Sequence, residues 1–472
     1  MSSGGHCAIP DMEIDKLADS GRCPILTKST GSNLPSENIG TDSGEIPSGT
    51  SALELQANVT NTTEAEIDLE TSINNDYSSP LTLDQLDDDS LICIAAFVDA
   101  RTVKYALSQV CRRFLLIFSS ESYWKFRVTN RWPNKKYPAV TTPPNFKWDD
   151  ACVELDDMQR VWSDPETFTN HFMYSCDVFG AIDSVHLMKD GEMVLSGDRN
   201  RSLNFIDLTK YPGSGASEEQ MREMLIHSDK SHEGWIWCIT SVGNKVITGS
   251  WDTHIRMFDA NAGCKLTNSF KCKSPVLSLY AEDNEVVASC YDKKVYFIDQ
   301  RTSSVKSRVF HTRAVLCVTG NENFILSGSE DKSISIFDRR AGKIFMMFKL
   351  ASYPLCLSYS CNQLWFGDNS GNLNLHDGTE GVFQYVGSFD VGHTKKVTAV
   401  INTPGAIFTC SGDKTVKVLE PTRDPGVITS LNVHEREIAK IDYKNGVLVS
   451  GGGDDCVGVW MPKRWGKEAY CL

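Results

Sequence analysis

One pattern returns seven times in the second half of this chain, and it narrows the possible folds more than any other feature. Residues 196–207, 248–259 and 327–338 read SGDRNRSLNFID, TGSWDTHIRMFD and SGSEDKSISIFD, and weaker copies lie around 289–299, 366–377, 409–420 and 450–460. Aligned on the turn, the copies place Asn200, Asp252, Asp292, Asp331, Ser370, Asp413 and Asp454 at spacings of 52, 40, 39, 39, 43 and 41. In each copy a small-residue strand end leads into a tight polar turn. An alternating apolar strand such as Ile255-Arg256-Met257-Phe258 follows, as period-two pleating requires. A repeat of about forty residues, each copy containing at least a hairpin, implies units that bury their apolar faces on one another in a ring. Closing such a ring needs an outer strand for the last unit, and residues near Thr167 to Tyr174 are expected to supply it.

A His precedes the turn acid at matching distances in four copies: His232 with Asp252, His311 with Asp331, His393 with Asp413 and His434 with Asp454. A geometry that recurs in several units is read as scaffold, not as a catalytic acid/base pair. Copies one, three and five lack the His, and are expected to depend more on sheet packing. The extra length between copies one and two, Thr209 to Ser231, is expected to be a surface loop with a short helical stretch at Glu218 to Leu225.

Composition removes whole classes of function. The 47 basic and 61 acidic residues of this 472-residue chain give a formal charge of -14, which disfavours a nucleic-acid or membrane-surface partner. Residues 1–80 hold 13 of the acids, three basic residues and one aromatic, Tyr77, so this segment is expected to be a disordered acidic tail. The longest unbroken apolar run, Leu91 to Val98, is far too short to span a bilayer, and no secretory signal is legible, so a cytoplasmic or nuclear location is expected. None of the 16 Cys makes a CxxC pair, and neither a metal nor a cofactor is expected. The segments 411–415 and 451–455 resemble phosphate loops only in composition, since they belong to the repeat's turn.

Residues 81–132 change character, with three apolar stretches at helical spacing. Asp88, Asp89 and Ser90 can cap Leu91 to Val98; Val103, Leu107, Val110 and Phe114 share a face; Trp124 anchors a third segment. Residues 133–165 read as a linker whose stretch 145–162 has helical apolar spacing at Trp148, Cys152, Leu155, Met158 and Val161 and is expected to brace the helical module against the ring, placed at 166–472.

The repeat's spacing, with Gly-His upstream and aromatic-Asp downstream, is similar to WD40 repeats, although only the seventh copy keeps the Trp, at Trp460. Leu86, Leu91, Ile94, Phe97 and Val98, then Val110, Cys111 and Phe114, then Tyr123 and Trp124 resemble the F-box, with Asp87 in place of its usual Pro. Together they resemble the F-box/WD-repeat proteins: a small all-α F-box before a mainly β, seven-bladed propeller. The resemblance implies a non-catalytic substrate receptor of an SCF-type cullin ubiquitin ligase. Those ten residues would contact a Skp-family adaptor, cullin and RING subunits would join through the adaptor, and a protein target would bind the propeller. A scaffold without ligase function is the alternative.

Around the channel mouth the repeat places Trp235, Trp251, Tyr291 and Tyr353 as an aromatic sector, with Arg199 and Lys396 as isolated positive charges. Aromatics at such positions are typical anchors, and without an Arg cluster an aromatic or mixed peptide contact is expected ahead of a phosphate-reading pocket.

Overall fold

The structure, a computed structural model, describes residues 82–463, so the acidic segment 1–80 lies outside the described residues. From residue 169 onward the chain forms seven four-stranded antiparallel sheets. Blade 1 comprises β2 (Ile182–Met188), β3 (Met193–Asp198), β4 (Ser202–Asp207) and β5 (Leu225–Lys230) in that order. The first strand of every blade touches the first strands of its two neighbours, from β2 through Ile236–Val242 and onward to Ile438–Lys444 and back to β2. These strands therefore line the axis of a closed seven-bladed propeller. Each second strand is buried on both faces, as in β3 and Val447–Gly452, because the blades pack face to face. Outermost strands such as Ser304–Val309 are exposed throughout.

Closure follows the expected route. β1 (Thr169–Ser175) pairs antiparallel with Cys456–Pro462, from Thr169 opposite Pro462 to Ser175 opposite Cys456, and gives the last blade its fourth strand. His171 stacks on Trp460 across this pair with ring centroids 4.8 Å apart. The expected loop at 209–231 is corrected in its last third. Leu225–Lys230 is the outer strand of blade 1, paired with β4, while a short helix occupies Glu218–Arg222. An outer strand with one face in water needs little apolar content, which is why LIHSDK reads as a loop.

The preceding helical module comprises α1 (Asp88–Ala95), α2 (Ala100–Tyr105), α3 (Arg112–Phe118) and α4 (Glu121–Arg131). Asp99 caps α2 by accepting from Thr102 N at 2.9 Å, and Cys111 Sγ accepts from Phe114 N at 3.5 Å at the start of α3. The face expected to be shared by Val103, Leu107, Val110 and Phe114 does not exist as one helix. A 3-10 turn at Leu107–Gln109 and extended Cys111, at φ -155, separate α2 from α3 and turn Val110 outward.

The helix α5 (Trp148–Ser163) joins module to ring and has an apolar side for each. Cys152, Val153 and Leu155 enter the module's core, while Met158 and Trp162 enter a core shared with Ala399, Phe408 and Trp460. Trp162 meets Phe408 edge-on at 5.7 Å. The contact depends on Gly405, where an added Cβ would lie 2.7 Å from the Cγ atoms of both Glu154 and Met158 and lift the helix off blade 6. Tyr137 Oη donates to Pro404 O at 2.9 Å, and Lys135 pairs with Glu420, tying the linker to the same blade. On the module side Asp156 is the hub: it accepts from Ala100 N at 2.8 Å and Arg127 Nη2 at 2.7 Å, and it pairs with Arg131. Among the described residues no helix is long and apolar enough to cross a membrane.

Candidate functional site

The turn that presents the mouth is held the same way in four blades. His232 Nδ1 lies 2.8 Å from Asp252 Oδ2 and its Nε2 2.7 Å from Thr248 Oγ1; His393 makes the equivalent contacts with Asp413 and Thr409 at 3.0 Å each. His434 bridges Asp454 and Ser450, and His311 bridges Ser333 and Ser327 with Asp331 3.4 Å away. The acid also accepts a backbone N–H from the residue after the His, at 2.8 to 3.0 Å in all four blades. Burial works to raise Asp413, yet Thr415, Thr394 N and His393 hold it down to about 2. Burial pulls His232, His311 and His393 below the ordinary imidazole value even though their Asp partners raise them.

The other three blades do not rest on packing alone, contrary to the sequence expectation. In blades 1 and 5 the acid stands two residues earlier, at Asp198 and Asp368, and an Asn replaces the His. Asn204 and Asn374 Nδ2 donate to these acids at 3.3 Å, and Ser202 N and Ser370 N at 2.9 and 2.8 Å. In blade 3 Tyr296 Oη donates to Asp292 at 2.8 Å. The residue that turns the hairpin takes a left-handed conformation in every blade: Arg201, Thr253, Lys293, Lys332, Gly371, Lys414 and Asp455. Only one of these is glycine, so the side-chain networks hold a conformation that side-chain-bearing residues disfavour.

Blade 5 carries a buried His of another kind. His376 stacks on Phe348 of blade 4 at 4.4 Å and 15°, its Nδ1 has no hydrogen-bond partner, and burial pushes it down to about 4. An unfolded His titrates near about 6.5, so the folded state resists the proton; the stabilisation is complete above that pH and is lost as pH falls toward 4. The loss amounts to about 3 kcal/mol. His376→Phe is therefore expected to shrink the drop in urea midpoint between pH 7.5 and 4.5, and an unchanged drop would remove His376 from the account.

At the mouth, one backbone bond per blade joins the residue before the turn to the residue entering the first strand. Arg199 N donates to Ala181 O, Trp251 N to Trp235 O, Tyr291 N to Pro275 O, Glu330 N to Ala314 O, Asn369 N to Tyr353 O, Gly412 N to Lys396 O and Gly453 N to Glu437 O, all between 2.9 and 3.1 Å. The six mouth residues singled out from sequence thus lie on one rim. They do not form one cluster. Trp251 sits edge-on between Trp235 at 6.0 Å and Trp237 at 5.8 Å, and the Arg199 guanidinium lies 5.0 Å from the Trp235 ring centre. Tyr291 and Tyr353 belong to blades 3 and 5. Arg199 is held by buried Asp183 at 3.1 Å, and Lys396 by Glu437 at 3.0 Å. Trp237 and Asp183 were not singled out from sequence. Each occupies the extra position of a β-bulge in its first strand, where simple alternation fails to say which way a side chain faces.

Residues 223–259, 303–338 and 383–419 match the family described as WD domain, G-beta repeat. The chain is 34% identical to F-box/WD repeat-containing protein 9 of Bos taurus, over 78% of this chain and 80% of that protein, and 33% identical to the Homo sapiens protein of the same name over the same shares. The chain belongs to the F-box/WD-repeat family. F-box/WD repeat-containing protein mec-15 of Caenorhabditis elegans is 26% identical over 82% of this chain and 97% of its own length.

Within this F-box/WD-repeat protein the ten residues assigned from sequence to an adaptor surface divide into three groups. Leu91, Phe114, Tyr123 and Trp124 are buried in the module's own core, and Trp124 Nε1 donates to Phe118 O at 2.8 Å, so they shape the surface from beneath. Leu86 and Val98 are half-buried against that core. Ile94, Phe97, Val110 and Cys111 are exposed, Phe97 at 94%. Leu115 and Leu116 on α3, at 45% and 66% exposure, were not singled out from sequence. The signal was present in the unbroken run FLLIF, since a short helix can bury only one side of such a run. Arg113 pairs with Asp88 and donates to Leu86 O, which fixes α3 against the start of α1.

Proposed function

We propose that this chain is the substrate-recognition subunit of an SCF-type cullin ubiquitin ligase, with the helical module docking on a Skp-family adaptor and the channel mouth gripping a target protein. The observation that carries the reading is the set of apolar side chains left in water on α1, the turn after it, α3 and the turn before α3: Ile94, Phe97, Val110, Leu115 and Leu116. Exposed apolar surface of this extent on a small module favours burial by a partner. A second observation gives the arrangement its use. α5 fills the cores of both module and ring, so a target held at the mouth keeps a fixed relation to whatever the module binds. Proximity and orientation are then the contribution of this chain, and ubiquitin transfer falls to partner subunits.

The test is reconstitution. Full-length protein mixed with purified Skp adaptor and cullin is expected to co-elute with both on gel filtration, with the cullin recruited only when the adaptor is present. If the intact protein elutes alone at micromolar concentrations, the scaffold alternative takes its place.

A further inference from the structure

The chemistry of the mouth says what kind of target segment it fits, given the receptor reading above. Both cations on the rim are already matched. Arg199 directs Nε and Nη2 at Asp183, at 3.1 and 3.2 Å, and this carboxylate is almost fully buried. Glu437 takes Lys396 at 3.0 Å and Lys395 at 3.4 Å. A phosphate arriving at Arg199 would have to draw it from Asp183 and leave a buried carboxylate unpaired. The guanidinium also keeps the Trp235 ring in place beneath it. Trp251 Nε1 is buried and has no hydrogen-bond partner among the described residues, and a buried indole N–H ordinarily has one.

A different cation has no such match among the described residues. Lys440 stands on the axial strand of blade 7, just past the bulge. The equivalent residues of the other blades are uncharged: Ser184, Cys238, Ser278, Cys317, Cys356 and Ala399. Its charge acts on the thiols of Cys238, Cys317, Cys356 and Cys410, in four other blades, a reach that places the ammonium toward the axis. Burial pushes Cys238 and Cys410 up to about 12 and Cys356 to about 11, so these groups stay neutral and give Lys440 no counter-charge. The acids of the axial strands are engaged elsewhere, Asp183 with Arg199 and Asp442 with His186 at 2.9 Å.

We infer that the mouth reads an unphosphorylated segment by two handles: an aromatic or branched aliphatic side chain packed on the Trp235, Trp237 and Trp251 array beside an acceptor for Trp251 Nε1, and an acidic side chain reaching Lys440 in the channel. The first handle follows from ring geometry and the unpaired N–H, and the second from the lone ammonium on an otherwise neutral collar.

The test uses full-length protein bound to its adaptor and four fluorescein-labelled pools of 15-residue peptides with randomised flanks. The central positions carry Glu with Trp or Leu, Gln with Trp or Leu, Glu with Ala, or phosphoserine with Ala. The first pool is expected to bind at least about tenfold more tightly than each of the others. Lys440→Met should erase the preference for Glu over Gln, and Trp251→Phe, which keeps an aromatic ring of smaller area and removes the N–H, should weaken the first pool severalfold. Thermal unfolding of both variants checks that the ring is intact. Tightest binding by the phosphoserine pool, equal binding of Glu and Gln pools, or a Glu preference that survives Lys440→Met overturns the inference. Binding of no pool also overturns it, while adaptor co-elution in the same sample reports separately on the receptor reading.

Discussion

Replacing Phe97 and Leu116 together by Asp is expected to abolish adaptor capture while the chain stays folded. Both side chains stand in water in the free protein, Phe97 at 94% exposure, so their loss removes nothing from the core. Burial of each against a partner is worth about 1.5–3 kcal/mol, and two losses together weaken binding by roughly a thousandfold before the cost of desolvating the new carboxylates is counted. Titration of the adaptor by isothermal calorimetry measures the effect, with thermal unfolding as control. Capture weakened by less than about tenfold would move the docking surface elsewhere on the chain. Leu91→Asp cannot serve the same purpose, although its place in the F-box pattern suggests it. Leu91 is buried with Ala95, Val103 and Trp124, and a charge there unfolds the module whether or not an adaptor exists.

Asp156→Ala is expected to release the module from the ring without opening the ring itself. Three groups converge on this carboxylate: Ala100 N, Arg127 and Arg131. Arg127 is mostly buried and also donates to Ala95 O and Val98 O at the end of α1, so removing its counter-charge strands a cation inside the module. Breaking a buried ion pair from one side costs about 3–5 kcal/mol, though partial solvent access places this case toward the lower end. A unit of about fifty residues has little stability in reserve. Amide hydrogen exchange should therefore rise across α1 to α4 and at the module side of α5, while the blades keep their protection. Uniform exchange across the whole chain would show that module and ring unfold as one.

The propeller was legible because its constraint is repeated. Seven turns at near-constant spacing fix the blade number, and each His twenty residues before its acid marks a turn network that the structure reproduces. The same habit of reading hid the variants. Asp198 with Asn204 and Asp368 with Asn374 share one spacing, but an acid shifted by two positions looks like a missing acid when the pattern demands register. Periodicity also failed wherever the backbone leaves its ideal form. The bulge in each first strand reverses the expected facing of Trp237 and Asp183, and the break at Val110 interrupts a helix whose apolar spacing reads as continuous. In the module, a pattern match returned core and surface together. Trp124 and Phe97 both carry the F-box resemblance, yet only burial separates the residue that builds the platform from the one that stands on it.

The pairing of β1 with Cys456–Pro462 has a consequence for the order of assembly. The strand that the ribosome makes first in the ring must wait for the one it makes last, some 280 residues later, before either edge is satisfied. Until then the nascent toroid carries an open seam with unpaired backbone at both lips, a state prone to sticking to other chains. α5 ends six residues before β1 begins, and its ring-facing residues Met158 and Trp162 pack beside Trp460, a residue of that last strand. Zipping the seam and seating the brace are thus one late event, so chains that have not finished the ring also lack a firmly mounted helical module.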